Sequence, residues 1–240
     1  MPDSSLIEAA IYIVKGTGLT VALIVGAMLL GLVVGLPMAA VQVYGPRWGR
    51  FLVSVYVWFF RGIPILVLLF IFYFGLRIIV ENLLASALGH RVTIPPFAAT
   101  VTTLGLTSAA YQSQFFKGAI LSLHPGQYQA ALSLGFSRTA ALTGVILPQA
   151  LRVAIPAWAN EYSILLKDSA LAYVLGTLEI MARIKHMVAT THQHVPFYIL
   201  AGAIYYALTF LGLRALGRLE RRTRIPGLGQ DADLEAKPND

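Results

Sequence analysis

Apolar runs long enough to cross a bilayer recur along this chain, separated by short polar interruptions. A crossing helix needs roughly 20 mainly apolar residues. Five stretches meet that length: 19–44, 51–80, 97–121, 153–180 and 196–217. Tyr56, Trp58 and Tyr73 give the second stretch interfacial anchors. The fourth is the most interrupted, carrying Asn160, Glu161, Lys167 and Asp168. The pattern predicts an all-α membrane protein of about five transmembrane helices, forming one domain over 1–224. Residues 225–240 are polar and rich in Pro and Gly, which predicts a disordered tail.

Composition sharpens this picture. Of 240 residues, 57% are hydrophobic and 12% charged, which excludes an ordinary soluble domain. Cysteine is absent, so no disulfide framework and no thiolate nucleophile or metal site is available. The net charge of +7 sits in short clusters beside the apolar runs, which fits membrane orientation and not nucleic-acid binding. Residues 1–18, with Asp3, Glu8 and Lys15, offer no convincing cleavage site, so no removable signal peptide is expected.

Placing the N-terminus outside puts Arg47, Arg50, Lys117, Arg138, Arg152, Arg214, Arg218, Arg221, Arg222 and Arg224 on the inner side. Lys15, Arg77, Arg91, Arg183 and Lys185 then fall outside. Ten inner cations against five outer ones predict N-out, C-in. Segment 122–150 is then cytoplasmic.

That segment contains a short amphipathic helix. On a helical projection Tyr128, Ala131, Leu132, Gly135 and Phe136 share one face, and Gln129, Ser133 and Ser137 another. A surface-anchoring helix usually carries Lys or Arg on its polar face; this one carries no charge there. Gly135 costs a helix about 1 kcal/mol relative to alanine, which predicts a bend, a turn or a close backbone approach. A helix of this kind is suited to docking into another protein, with membrane-surface anchoring as the simpler alternative.

The residues of this loop carry a family resemblance. "QAALSLGFSRTAALTGVILPQA" resembles the cytoplasmic coupling loop of bacterial ABC importer permeases, through Gln129, Ala130, Ala131, Gly135, Val145, Leu147 and Pro148. "RGIPILVLLF", "AYQSQFFKGAILSLHPGQYQAALSLG" and "LPQALRVAIPAWANEYSILLKDSAL" look like the polar amino acid permeases of that family, and the likeness runs over about 12–220. Gln129 stands where the family has Glu, Gln114 and Lys117 where it commonly has Glu and Arg, and Ser169 and Ala170 make "DSAL" of the usual "DTSL".

The resemblance implies a type I importer permease in the inner membrane. Its partners would be a cytoplasmic ABC ATPase dimer, a second permease subunit (a copy or a paralogue), an extracytoplasmic amino-acid-binding protein, a polar amino acid substrate and membrane lipid. It also implies that the 127–148 loop, through Gln129, Ala130, Ala131, Gly135, Phe136, Leu147 and Pro148, docks on the ATPase and converts its closure into alternating access. The chain has no G-x-x-x-x-G-K-[ST] loop, so ATP hydrolysis is expected of the partner and not of this subunit.

Ionisable residues at membrane depth mark candidate substrate positions. Glu161 and Asp168 share one helix face, Asn160 and Lys167 the neighbouring one. They offer either an acceptor for a substrate cation or an internal ion pair through Lys167. A helix break is expected near 167–170. Thr100, Thr103, Thr107, Tyr111 and Gln114 form a polar stripe on the third span, read as a pathway wall or as packing polarity. Ala27, Gly31 and Gly35 form a small-residue packing seam, and Arg61 is expected to snorkel toward phosphates.

His186, His192 and His194 lie in an outer loop without a carboxylate of its own, so no metal and no cofactor is expected there; the loop would face the binding protein. A secondary transporter using an ion gradient through Glu161 and Asp168 is the alternative function, though it leaves the cytoplasmic helix without a role. An intramembrane hydrolase is excluded because all five histidines fall in loops.

Overall fold

The computed structural model describes residues 3–90 and 93–223, with side chains from residue 8 onward. The predicted tail at 225–240 lies outside the described residues. The described chain is helical throughout: α1 (Asp3–Val14), α2 (Thr17–Tyr44), α3 (Arg47–Gly62), α4 (Ile65–Leu88), α5 (Pro96–Leu121), α6 (Gly126–Ser133), α7 (Arg138–Leu175), α8 (Ile180–Thr191) and α9 (His194–Thr223). Helix α4 contains a π-helical stretch, Ile71–Leu76; α7 is α-helical over Leu147–Ser169 and tightens to a 3-10 turn over Ala170–Leu175.

Backbone chemistry explains where the helices stop. Pro64 offers no N–H and forces the residue before it out of the helical region, and Ile63 is extended at φ −105°, ψ 134°. The stretch expected to cross at 51–80 is therefore two elements. Helix α3 is amphipathic, with Trp48, Phe51, Leu52, Val55 and Trp58 exposed along one stripe, and α4 alone has the length and apolarity to cross. Gly89 and Gly176 end α4 and α7 in the left-handed region, at φ +73° and +86°. The outer loop predicted around His186 is largely the helix α8, which begins where Glu179 accepts from the amides of Met181 and Ala182.

Four helical stretches are long and apolar enough to cross a membrane: Glu8–Tyr44, Ile65–Leu88, Arg138–Leu175 and His194–Thr223. Helix α5 is comparably long but lies outside this set, because its Thr, Ser and Gln side chains lower its hydropathy. It is also the most enclosed. Helix α2 packs along it, α7 covers another side, and α3 and α4 close a third. A helix surrounded by protein can carry polar side chains at membrane depth, since neighbouring helices satisfy them.

Close approach of α2 to α5 depends on small residues. A Cβ on Gly31 would collide with the Gln112 amide, and one on Gly35 would stand 2.9 Å from the Ala109 carbonyl oxygen. Ala27 is fully buried beside them. The seam at 27, 31 and 35 is the line on which the two helices meet.

Candidate functional site

A buried polar network joins α2, α5 and α7. The Ser108 hydroxyl donates to Glu161 Oε1 at 2.7 Å. Gln112 Nε2 donates to Ser108 Oγ at 2.9 Å and to the Met28 carbonyl at 3.1 Å. Trp158 Nε1 completes the chain by donating to Gln112 Oε1 at 2.9 Å. Ser108 and Gln112 are four residues apart on α5, as Trp158 and Glu161 are three apart on α7, so each pair shares a face. Glu161 is buried, and its Oε2 has no hydrogen-bond partner among the described residues.

Sequence reasoning passed over Ser108, Gln112 and Trp158 because attention fell on the Thr-rich stripe. The available signal was the i, i+4 pair Ser108 and Gln112 together with the glycines of α2, which leave room for that face. The three threonines of the stripe bond to carbonyls of their own helix. Thr100, Thr103 and Thr107 are buried, with hydroxyls donating to the carbonyls of Pro96, Ala99 and Thr103.

Tyr111 and Gln114 lie on a different side of α5 from the network. With Arg61, Lys117, Gln42 and Ser54 they line a cavity of about 420 Å³. Arg61 stacks over the Tyr111 ring at 4.9 Å.

On α7 the structure separates residues that the sequence grouped. Glu161 points into the bundle, Asp168 is half-buried, and Asn160 and Lys167 are exposed on the outward face. Among the described residues the salt bridge found joins Arg77 to Glu81, so Lys167 pairs with neither Glu161 nor Asp168. The expected break near 167–170 takes the form of the 3-10 turn that begins at Ala170.

The loop between α5 and α7 is the second candidate region. Its helix α6 packs on the first turns of α7, with Ala131 buried, and reaches the ends of α2 and α5 through Tyr128, whose ring lies 4.6 Å from that of Tyr44. The Phe136 amide donates to the Ala131 carbonyl at 3.1 Å and the Gly135 amide to the Leu132 carbonyl at 3.0 Å. With Gly135 at φ +87° this is a Schellman motif. No atom lies within 4 Å of a Cβ placed on Gly135, so the glycine serves a turn and not a close approach.

The projection that put Gly135 and Phe136 on one helix face with Tyr128, Ala131 and Leu132 fails because the helix ends at Ser133. Beyond it, Leu134 is 79% and Phe136 46% exposed; Gln129, Ala130 and Leu132 are exposed beside them. Leu147 and Pro148 lie inside α7, directly after a π-helical stretch, Leu142–Ile146, that follows the first α-helical turn, Arg138–Ala141. Among the described residues no group of three or more His, Asp or Glu side chains could hold a metal. His186 packs near Tyr12, while His192 ends α8 at φ 57°.

Comparison with known proteins places these features in context. The family described as "Binding-protein-dependent transport system inner membrane component" matches residues 27–225. The octopine transport system permease protein OccQ of Rhizobium meliloti is 34% identical, over 87% of this chain and 89% of its own. The glutamine transport system permease protein GlnP of Escherichia coli (strain K12) is 32% identical, over 93% and 98%. A crystal structure of an amino acid ABC transporter with histidines superimposes with a TM-score of 0.75 at 29% identity, covering 92% of this chain and 99% of that one.

Proposed function

The chain belongs to the family of binding-protein-dependent transport system inner membrane components, as a permease component of an amino-acid ABC importer, and from that premise we propose how it works. It moves a polar amino acid across the inner membrane by alternating access, driven by a separate ATPase dimer that grips the α6 loop. The observation that carries this reading is the uncharged tip formed by Leu134 and Phe136. It projects from a helix braced against α2 and α5, so force on the tip reaches the spans.

Several further features support the arrangement. Exposed Asn160 and Lys167 are costly against lipid. Their face on α7 suits a hydrated path beside a second permease subunit. The Ser108–Gln112–Trp158 network holds α7 to α2 and α5 in the present state, and Glu161 Oε2 is an acceptor open to a substrate cation when α7 moves. The N-terminus lies outside and the C-terminus inside, with α5 as the fifth crossing, which sets the tip of α6 in the cytoplasm. Helix α8 and the His192–His194 turn then face the extracytoplasmic binding protein.

The test is Leu134→Asp. The side chain is exposed, so the fold is kept while an apolar docking contact gains a charge. The variant should reach the membrane at normal levels but lose co-purification with its ATPase. Normal co-purification would remove the docking role from the tip.

A further inference from the structure

We propose that the cavity between α2, α3 and α5 is a binding site for the headgroup of an anionic phospholipid. Two cations, Arg61 and Lys117, line it, with Gln42, Gln114 and Ser54 as polar neighbours. Among the described residues that line it none is acidic, and neither cation takes part in a salt bridge. Two positive charges without a counter-ion, in a cavity of about 420 Å³, call for an oxyanion. Phosphate and carboxylate share that chemistry.

Depth and surroundings select a lipid. Gln42 is two residues from the end of α2 and Lys117 four from the end of α5. At 1.5 Å per residue its mouth lies about 3–6 Å inside the helix ends and its floor, at Tyr111, ten residues from the end of α5, about 15 Å inside, so the cavity runs from headgroup level into upper acyl-chain level. Trp58 lines the cavity and is 80% exposed, and it continues the apolar stripe of Phe51, Leu52 and Val55 on α3. An amphiphile satisfies both halves: its phosphate meets Arg61 and Lys117, and its chains cover the stripe. A small soluble anion leaves the stripe bare. Arg61 is held in place for this contact by the ring of Tyr111. That the lipid comes from the inner leaflet rests on the N-out orientation proposed above; the binding itself does not.

Native mass spectrometry of the purified complex tests the site, with phosphatidylglycerol as the probe and phosphatidylcholine as the neutral comparison. At about a tenfold loss for each 1.4 kcal/mol and roughly 1 kcal/mol per cation near the surface, Arg61→Gln with Lys117→Gln should weaken phosphatidylglycerol retention about thirtyfold. The charge-preserving pair Arg61→Lys with Lys117→Arg should retain most of it, which separates lost charge from lost fold. Excess inorganic phosphate or free glutamine should not displace the lipid. Equal retention by the neutralised variant, or equal retention of phosphatidylcholine by the natural chain, would overturn the proposal. Displacement by phosphate would reassign the cavity to a soluble anion, and displacement by glutamine to the substrate path. Both outcomes count against a lipid site, and neither depends on transport.

Discussion

Replacing Gly135 by valine isolates the turn on which the α6 loop depends. The residue sits at φ +87°, where an L side chain costs about 1–2 kcal/mol, and a β-branched one stands at the upper end. No neighbour lies within 4 Å of the added Cβ, so the penalty is conformational and not steric. A penalty of that size lowers the population of the Schellman turn by roughly 5–30-fold. Helix α6 has eight residues and is too short to hold itself together alone. Its tip should therefore leave the position set by Ala131 and Tyr128 while the membrane helices stay inserted.

Proteoliposomes containing the binding protein and the ATPase give the readout. Uptake and binding-protein-stimulated ATP hydrolysis should fall together in Gly135→Val. Gly135→Asn adds a Cβ as well, but asparagine accepts the left-handed region, so it should keep most of both activities. Normal uptake and stimulation in the valine variant would refute the reasoning, as would equal loss in the asparagine variant.

Further outcomes follow from the same contacts. Ser108→Ala removes the described donor to Glu161 Oε1, leaving both carboxylate oxygens unpaired, and should lower stability by about 1–3 kcal/mol, read by thermal unfolding in detergent. Glu161→Gln should reduce uptake while assembly with the ATPase persists; failure to assemble would make the residue structural. Gly35→Val presses on the Ala109 carbonyl, a backbone atom that cannot swing aside, and should cost about 1–3 kcal/mol, whereas Gly18→Ala, at an exposed helical position with open space, should leave the unfolding temperature unchanged or slightly raised. A reporter fused after Leu228 should be inaccessible from outside intact spheroplasts; accessibility there would contradict the N-out orientation.

The helical membrane architecture was legible because apolar runs of crossing length leave few alternatives. The limits of that reading lie with particular residues. Pro64 divides the second run, and a hydropathy pattern alone passes smoothly across it. Helix α5 was found from its length, yet its inward pair Ser108 and Gln112 stayed hidden, because a helix enclosed on several sides bears polar residues on more than one face. Glu161 and Lys167 fell on neighbouring helix faces in the sequence, which left an ion pair between them open. Six residues on a helix are 600° of rotation, which leaves the two side chains well apart around its axis, with Glu161 inward and Lys167 outward. Gly135 was singled out by its cost to a helix, and its turn was foreseen. The exposure of Leu134 was not, because the projection ran past the helix end.

The central claim is that import is driven by ATP hydrolysed on a partner subunit. The direct measurement is uptake of radiolabelled amino acid into proteoliposomes holding this permease, its ATPase and its binding protein, with ionophores collapsing every ion gradient. Uptake should continue, require ATP on the ATPase side, and stop when the ATPase is left out. Uptake that needs no ATPase and disappears with the ion gradient would contradict it.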